Sequence, residues 1–320
     1  MKIVFLDACT VSREGDVDLS GLRALGDWTS YEITAPSETV DRIADADVVI
    51  SNKVVLDAAA ISAAQKLRLI AVAATGTNNV DFEAATERGI QVCNVSGYST
   101  DSVAQHVLAL ILNLATNIHR TIAQPEAWPQ SPIFTRLDYP IQQLSELTLG
   151  LVGVGNIGSR VGEISEAFGM KVQCYARPDS KVSLHPEWPR VAADAFFASS
   201  DVVSLHCPLT VDTQAFINAD SLRQMKPGAF LINTGRGELV DERALLESLR
   251  SGHLGGAGLD VLSTEPPSKD HILINTGLPN LLITPHSAWS SRTARQTLIR
   301  GVEANIRAFL ETGEATNRVA

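Results

Sequence analysis

One segment, Leu149-Gly-Leu-Val-Gly153-Val-Gly155-Asn-Ile-Gly158, limits the possible folds of this chain more than any other. Its glycines have the G-x-G-x-x-G spacing. An apolar run at 147–152 leads into them, a helical pattern over 159–168 follows and closes at Gly169, and a second apolar run lies at 171–175. The spacing alone carries little weight, but inside a strand–helix–strand unit it predicts a dinucleotide-binding turn. Gly153 permits the tight turn, Gly155 lets the backbone approach a pyrophosphate, and Gly158 lets the helix pack close to the strand. The helix N-terminus presents free N–H groups and a positive dipole end to the phosphates.

The end of the second strand separates the two nicotinamide dinucleotides. A site for NAD wants an acid there, to accept hydrogen bonds from the ribose 2′-hydroxyl. This chain has Tyr175-Ala176-Arg177-Pro178 instead. A guanidinium can bind a 2′-phosphate bidentately, so we expect NADP(H) to be preferred, with Arg177 as its reader and NAD(H) as a possible second cofactor.

The rest of the chain repeats the alternation. Apolar runs at 3–6, 48–50, 69–74 and 91–94 are separated by helical patterns such as 57–65 and 81–88. A long helical pattern at 102–119 leads to a segment with Pro125, Pro129, Pro132 and Pro140, which reads as a linker or arm. Beyond the glycine turn come apolar runs at 172–175, 202–205, 229–233, 256–259 and 281–284, then a terminal helix at about 294–310. Such alternation predicts parallel sheets covered by helices on both faces. A length of 320 residues exceeds what one core usually fills, so two domains are expected.

Composition excludes several classes of function. With 45% hydrophobic and 19% charged residues the chain is globular rather than disordered. A net charge of −10 disfavours nucleic acid and anionic membranes, so a small anionic substrate needs a local positive site. Cys9, Cys93, Cys174 and Cys207 form no C-x-x-C pair, which predicts reduced thiols and no metal centre. The apolar stretch 103–115 is interrupted by Gln105, His106 and Asn113 and falls short of a membrane span. The opening Met1-Lys-Ile-Val-Phe-Leu-Asp7 reads as a first strand rather than a leader, so a cytoplasmic location is expected.

Three polar spots follow apolar strand patterns in the last third. Arg236 lies between Gly235 and Gly237, just past the run ending at Asn233. Strand ends of this kind face the ligand crevice of open α/β sheets, where a guanidinium can grip a carboxylate. Asp260 and Glu265 follow the run 256–259, with Glu265 held before Pro266-Pro267. His286 follows the run 281–284. A histidine with one nitrogen held by a carboxylate serves as general acid and base. His206, after the run 202–205, is expected to wall an adenine pocket.

These residues fall into a recognisable set. Over nearly its whole length the chain resembles the D-isomer-specific 2-hydroxyacid dehydrogenase family. The matching segments are Ala74-Thr-Gly-Thr-Asn-Asn-Val-Asp81, 89–102, 150–158, His206-Cys-Pro-Leu-Thr210, Met225-Lys-Pro-Gly-Ala-Phe-Leu-Ile-Asn-Thr-Gly-Arg-Gly237, Leu259-Asp-Val261, Glu265-Pro266 and Thr284-Pro-His286. Together with Val92-Cys-Asn-Val-Ser-Gly-Tyr-Ser-Thr100 and Gln105-His106, they are most similar to the glycerate dehydrogenase (hydroxypyruvate reductase) branch.

The resemblance implies two Rossmann-like, doubly wound α/β domains, 1–99 plus 288–320 for substrate and 100–287 for the dinucleotide, with the active site in the cleft between them. It implies hydride transfer between nicotinamide and a small 2-keto or 2-hydroxy acid. Arg236 would bind the substrate carboxylate and polarise the keto oxygen, His286 would exchange the proton, and Glu265 would orient His286 and favour its protonated form. Backbone N–H groups at Thr75, Gly76 and Thr77 would meet the carboxylate, and Asn52 and Lys53 would close over it. On the cofactor side the resemblance implies Gly153, Gly155, Asn156, Ile157 and Gly158 at the pyrophosphate. His206, Cys207, Pro208 and Thr213 would lie beside the adenine, and Thr234, Gly235, Asp260 and Ala288 near the nicotinamide and its ribose. A homodimer joined through 100–149 is also implied. The competing class is a dinucleotide-binding scaffold of the corepressor type. Within enzymes, D-lactate and phosphoglycerate dehydrogenation are the alternatives.

Overall fold

The structure, a computed structural model, describes residues 1–176 and 184–320. The chain forms two compact units, Met1–Ser99 with Trp289–Ala320, and Thr100–Ala288.

The first unit is a five-stranded sheet of β1 (Lys2–Phe5), β2 (Asp27–Ser30), β3 (Val48–Ser51), β4 (Leu69–Val72) and β5 (Gln91–Cys93). The order is β2-β1-β3-β4-β5, and every pairing is parallel. Alternate residues feed two cores, as the strand period of two requires. Ile3, Phe5, Val48 and Ile50 pack on one face with Leu298, Val302, Ile306 and Phe309 of the helix Arg292–Thr312. Val4, Leu6, Val49 and Ile70 pack on the other with Ile43, Ile61 and Ala85. The helices begin where short polar side chains can cap them: Asp57 accepts from Ala60 N, Asp81 from Ala84 N and Ser291 from Ala294 N.

Among the described residues, the second unit is a seven-stranded parallel sheet. Its strands are β6 (Thr148–Val152), β7 (Lys171–Tyr175), β8 (Arg190–Val191), β9 (Val202–Leu205), β10 (Phe230–Asn233), β11 (Gly256–Leu259) and β12 (Leu281–Ile283). They lie in the order β12-β11-β10-β9-β6-β7-β8. The chain reverses direction across the sheet between β6 and β9, which is where doubly wound sheets open a ligand crevice. Val203, Leu205, Leu231, Ala257 and Leu259 meet Leu222, Leu245 and Leu249 in its core.

Some expected boundaries shift. The helix after the glycine turn is Asn156–Ala167 and so starts three residues before the expected 159. The pattern at 102–119 is the helix Thr100–Thr116, ended by Asn117 in the left-handed region (φ 51°), and then a short helix Ile118–Ile122. β2 and β8 had no apolar run to announce them, because both are edge strands with little burial. The four cysteines carry no disulfide, and burial pushes the Cys93 thiol up to about 12 and the Cys174 thiol up to about 11. No helix among the described residues is long and apolar enough to cross a membrane.

Candidate active site

The glycine turn has the geometry that its spacing demands. Gly153 has φ +100°, and a Cβ there would lie 2.7 Å from the backbone of His206 and Cys207. A Cβ on Gly158 would lie 2.1 Å from Gly153 O, so only glycine lets the helix come this close to β6. Gly155 is the opposite case, for a Cβ there meets nothing within 4 Å. It caps the twelve-residue helix Asn156–Ala167, and Gly155 and Asn156 are exposed while Ile157 is half-buried. Open space in front of a helix N-terminus suits a pyrophosphate.

The neighbouring loops are braced from within. His206 follows β9, and its Nε2 lies 2.9 Å from Ser204 Oγ. Burial pushes its pKa down to about 4, so it is neutral at physiological pH. Thr213 Oγ1 donates to Pro208 O at 2.8 Å and accepts from Thr210 N, fixing the loop that starts with Cys207 and the exposed Pro208. Thr234 Oγ1, one residue past β10, is buried with no hydrogen-bond partner among the described residues. A buried hydroxyl without a partner is costly unless a ligand completes it. With the open N-terminus at Gly155, it fits a bound dinucleotide. Arg177 lies outside the described residues; Ala176, just before it, donates its N–H to Val191 O.

Arg236, Glu265 and His286 come from three adjacent strands. They follow the C-terminal ends of β10, β11 and β12, neighbours in the sheet. Asn233 shapes the first turn: its Oδ1 accepts from Gly235 N at 3.0 Å and its Nδ2 donates to Arg236 O at 2.7 Å. The half-buried Arg236 donates from Nη1 to Gly235 O. Gly237 joins this turn to the next loop, since a Cβ there would fall 1.9 Å from Leu262 C. Glu242 fixes that loop by accepting Ser263 N–H and Oγ–H, each at 2.9 Å. Glu265 Oε1 accepts from Leu262 N at 3.0 Å, and its Oε2 lies 2.5 Å from His286 Nδ1.

Asp260, expected near the nicotinamide, lies one residue past β11. It is only 1% exposed, and its carboxylate is engaged by Thr284 Oγ1, Ser287 N and Ala288 N. Ala288 is likewise buried, and its carbonyl accepts from Ser102 Oγ. Both brace the loop that carries His286. Asn233, Thr284 and His106 (whose Nε2 lies 2.9 Å from Thr284 Oγ1) had no role assigned from sequence. A polar residue ending an apolar run was the available signal for the first two.

The residues expected from the first unit follow β3 and β4. Asn52 is 3% exposed, and its Nδ2 donates to Thr10 Oγ1. The buried Asp7 carboxylate accepts the N–H groups of Asn52, Lys53 and Val54. Lys53 lines a cavity of about 540 Å³ with Cys9, Thr10 and Ile33. Thr75 is exposed, with Gly76 and Thr77 half-buried beside it, and Thr75 Oγ1 donates to Val95 O.

Known proteins resemble this chain in sequence and in fold. Residues 108–288 match the model of the D-isomer specific 2-hydroxyacid dehydrogenase NAD binding domain. The chain is 39% identical over 312 residues to a glycerate dehydrogenase of Methylorubrum extorquens, covering 97% of this chain and 96% of that one. It is 36% identical over 316 residues to a hydroxypyruvate reductase of Blautia hydrogenotrophica, with 97% of each covered. Among solved structures, the TT0316 protein of Thermus thermophilus superposes with a TM-score of 0.88 at 36% identity, covering 100% of both chains. The chain belongs to the D-isomer-specific 2-hydroxyacid dehydrogenase family.

Proposed function

We propose that this enzyme reduces hydroxypyruvate and glyoxylate to the corresponding 2-hydroxy acids, prefers NADPH to NADH, and works in the cytoplasm as a homodimer. The observation that carries the reading is the 2.5 Å pair of His286 Nδ1 and Glu265 Oε2, with Arg236 set after a strand of the same sheet edge. The names borne by the relatives of similar length favour these two keto acids.

A bound nicotinamide dinucleotide supplies the hydride. Gly153, Gly155 and Gly158 with the first turn of Asn156–Ala167 would hold its pyrophosphate, and Thr234 would serve its ribose end. Arg236 binds the substrate carboxylate through two parallel hydrogen bonds and draws charge toward itself from the keto oxygen. His286 carries the transferable proton on Nε2, because Glu265 occupies Nδ1. Negative charge grows on the keto oxygen as the carbonyl is reduced, so both cationic groups stabilise the transition state more than the ground state. On the first unit, the loop at Thr75, Gly76 and Thr77 carries backbone N–H groups of the kind a carboxylate takes, and Lys53 adds positive charge.

The NADPH preference rests on β7 ending at Tyr175, with Ala176 and Arg177 next in sequence and no acid at either position to repel a 2′-phosphate. The dimer rests on the segment after Thr116. It exposes Ile122, Trp128, Phe134, Leu137 and Ile141, more apolar surface than a lone monomer usually presents in one stretch.

The test is a panel of hydroxypyruvate, glyoxylate, pyruvate and a bulkier branched keto acid, each assayed with NADPH and with NADH. The highest kcat/KM is expected for hydroxypyruvate or glyoxylate with NADPH. A highest value for pyruvate or the branched acid overturns the substrate assignment, and a higher value with NADH overturns the cofactor assignment.

A further inference from the structure

The loop that carries His286 is tied to a helix on which none of the proposed chemistry takes place. Thr284 Oγ1 lies 2.5 Å from Asp260 Oδ1 and 2.9 Å from His106 Nε2, on the helix Thr100–Thr116. A hydroxyl has one proton. At 2.5 Å from a buried carboxylate the contact has the length of a charge-assisted O–H···O⁻ bond, so Thr284 donates to Asp260. Toward His106 the same oxygen can only accept, and His106 therefore carries a proton on Nε2. That nitrogen is also 3.6 Å from Asp260 Oδ1.

Asp260 passes this order to the catalytic loop. Its Oδ1 also accepts Ser287 N–H at 2.9 Å, its Oδ2 accepts Ala288 N–H at 2.8 Å, and its carbonyl oxygen accepts His286 N–H at 2.8 Å. His286 has φ +50°, a left-handed conformation that a side-chain-bearing residue holds only when its surroundings impose it. Four hydrogen bonds to one aspartate, from Thr284, His286, Ser287 and Ala288, impose it here.

We propose that His106 and Thr284 are positioning residues for the reduction. The chain from His106 through Thr284 to Asp260 fixes the 284–288 loop, so that the His286 imidazole keeps its place against Glu265. This inference rests on His286 being the proton donor. Neither His106 nor Thr284 touches substrate in this account; both act through Asp260.

The test uses the full-length enzyme with hydroxypyruvate and NADPH, comparing Thr284→Val, Thr284→Ser, His106→Phe, the Thr284→Val/His106→Phe double variant and His286→Ala. Thr284→Val and His106→Phe should each lower kcat about 10-fold to 100-fold, as small misplacements of reacting groups do. KM for hydroxypyruvate and Kd for NADPH should stay within about twofold, because the groups that bind them are untouched. Thr284→Ser, which keeps the hydroxyl, should restore most of the rate. The double variant should lose little more than the worse single one, since the two side chains act in series. Wild-type kcat in both single variants overturns the proposal, as does a Thr284→Ser variant no better than Thr284→Val, or a loss confined to thermal stability. If His286→Ala itself keeps its turnover, the proton-donor reading has failed instead. If Thr284→Val does not fold, His106→Phe with its kcat-against-KM split decides alone.

Discussion

Arg236 and His206 show how differently two polar side chains beside one sheet edge can be used. Arg236 is fixed by its own turn, through Asn233 and Gly235, and its guanidinium is half-buried. Hydrogen bonds to a charged group contribute about 1.5–3 kcal/mol each. Arg236→Ala should therefore lower kcat/KM for hydroxypyruvate by about 10²–10⁴-fold, with KM raised and kcat reduced together. A KM effect with kcat intact would limit Arg236 to binding. His206 is neutral, with a pKa pushed down to about 4 by burial. An unfolded imidazole titrates near 6.5, so between about pH 6.5 and 4 the unfolded chain takes up a proton that the folded one refuses. Stability should fall over that window by about 3 kcal/mol. His206→Gln should flatten the decline, as read by urea unfolding at about pH 4.5 and about pH 7; an unchanged slope would assign the loss to other groups.

The glycine turn is where an element's sequence and its geometry agree most closely. Gly155→Ala adds a methyl to open space, so the melting temperature should hold while NADPH binding weakens by about 10-fold or more as the pyrophosphate loses its approach. Gly158→Ala drives a methyl into Gly153 O and should destabilise the unit by about 3 kcal/mol. Thermal melts with and without NADPH separate the two, and equal destabilisation would contradict the assignment. The turn, the inner strands and the three residues after β10, β11 and β12 were legible because apolar runs and their polar endings lie together in sequence. The helix start at Asn156 was not, since its first turn reads as part of the glycine motif. β2, Asp-Trp-Thr-Ser, has no fully buried residue and only Trp28 packed on the core, too little to give it a pattern. The link from His106 to Thr284 spans 178 positions, and only folding brings the two together.

At the scale of the whole molecule, both sheets are parallel and doubly wound, and the expected chemistry falls at the C-terminal ends of their strands. That is where open α/β sheets place ligands, whatever those ligands are. The segment after Thr116 belongs to a different problem, because Phe134 is 90% exposed and Leu137 78% exposed. The proposed dimer would bury them against a second copy. Phe134→Glu with Leu137→Glu should shift the protein from dimer to monomer in sedimentation equilibrium, and a wild-type monomer would remove the need for any such interface. The catalytic set can be tested apart from assembly. The direct measurement is kcat for hydroxypyruvate reduction by His286→Ala beside wild type, with NADPH binding followed by fluorescence. Removing a positioned general acid should lower kcat by about 10²–10⁴-fold while the Kd for NADPH stays unchanged; turnover within a few-fold of wild type would contradict the account.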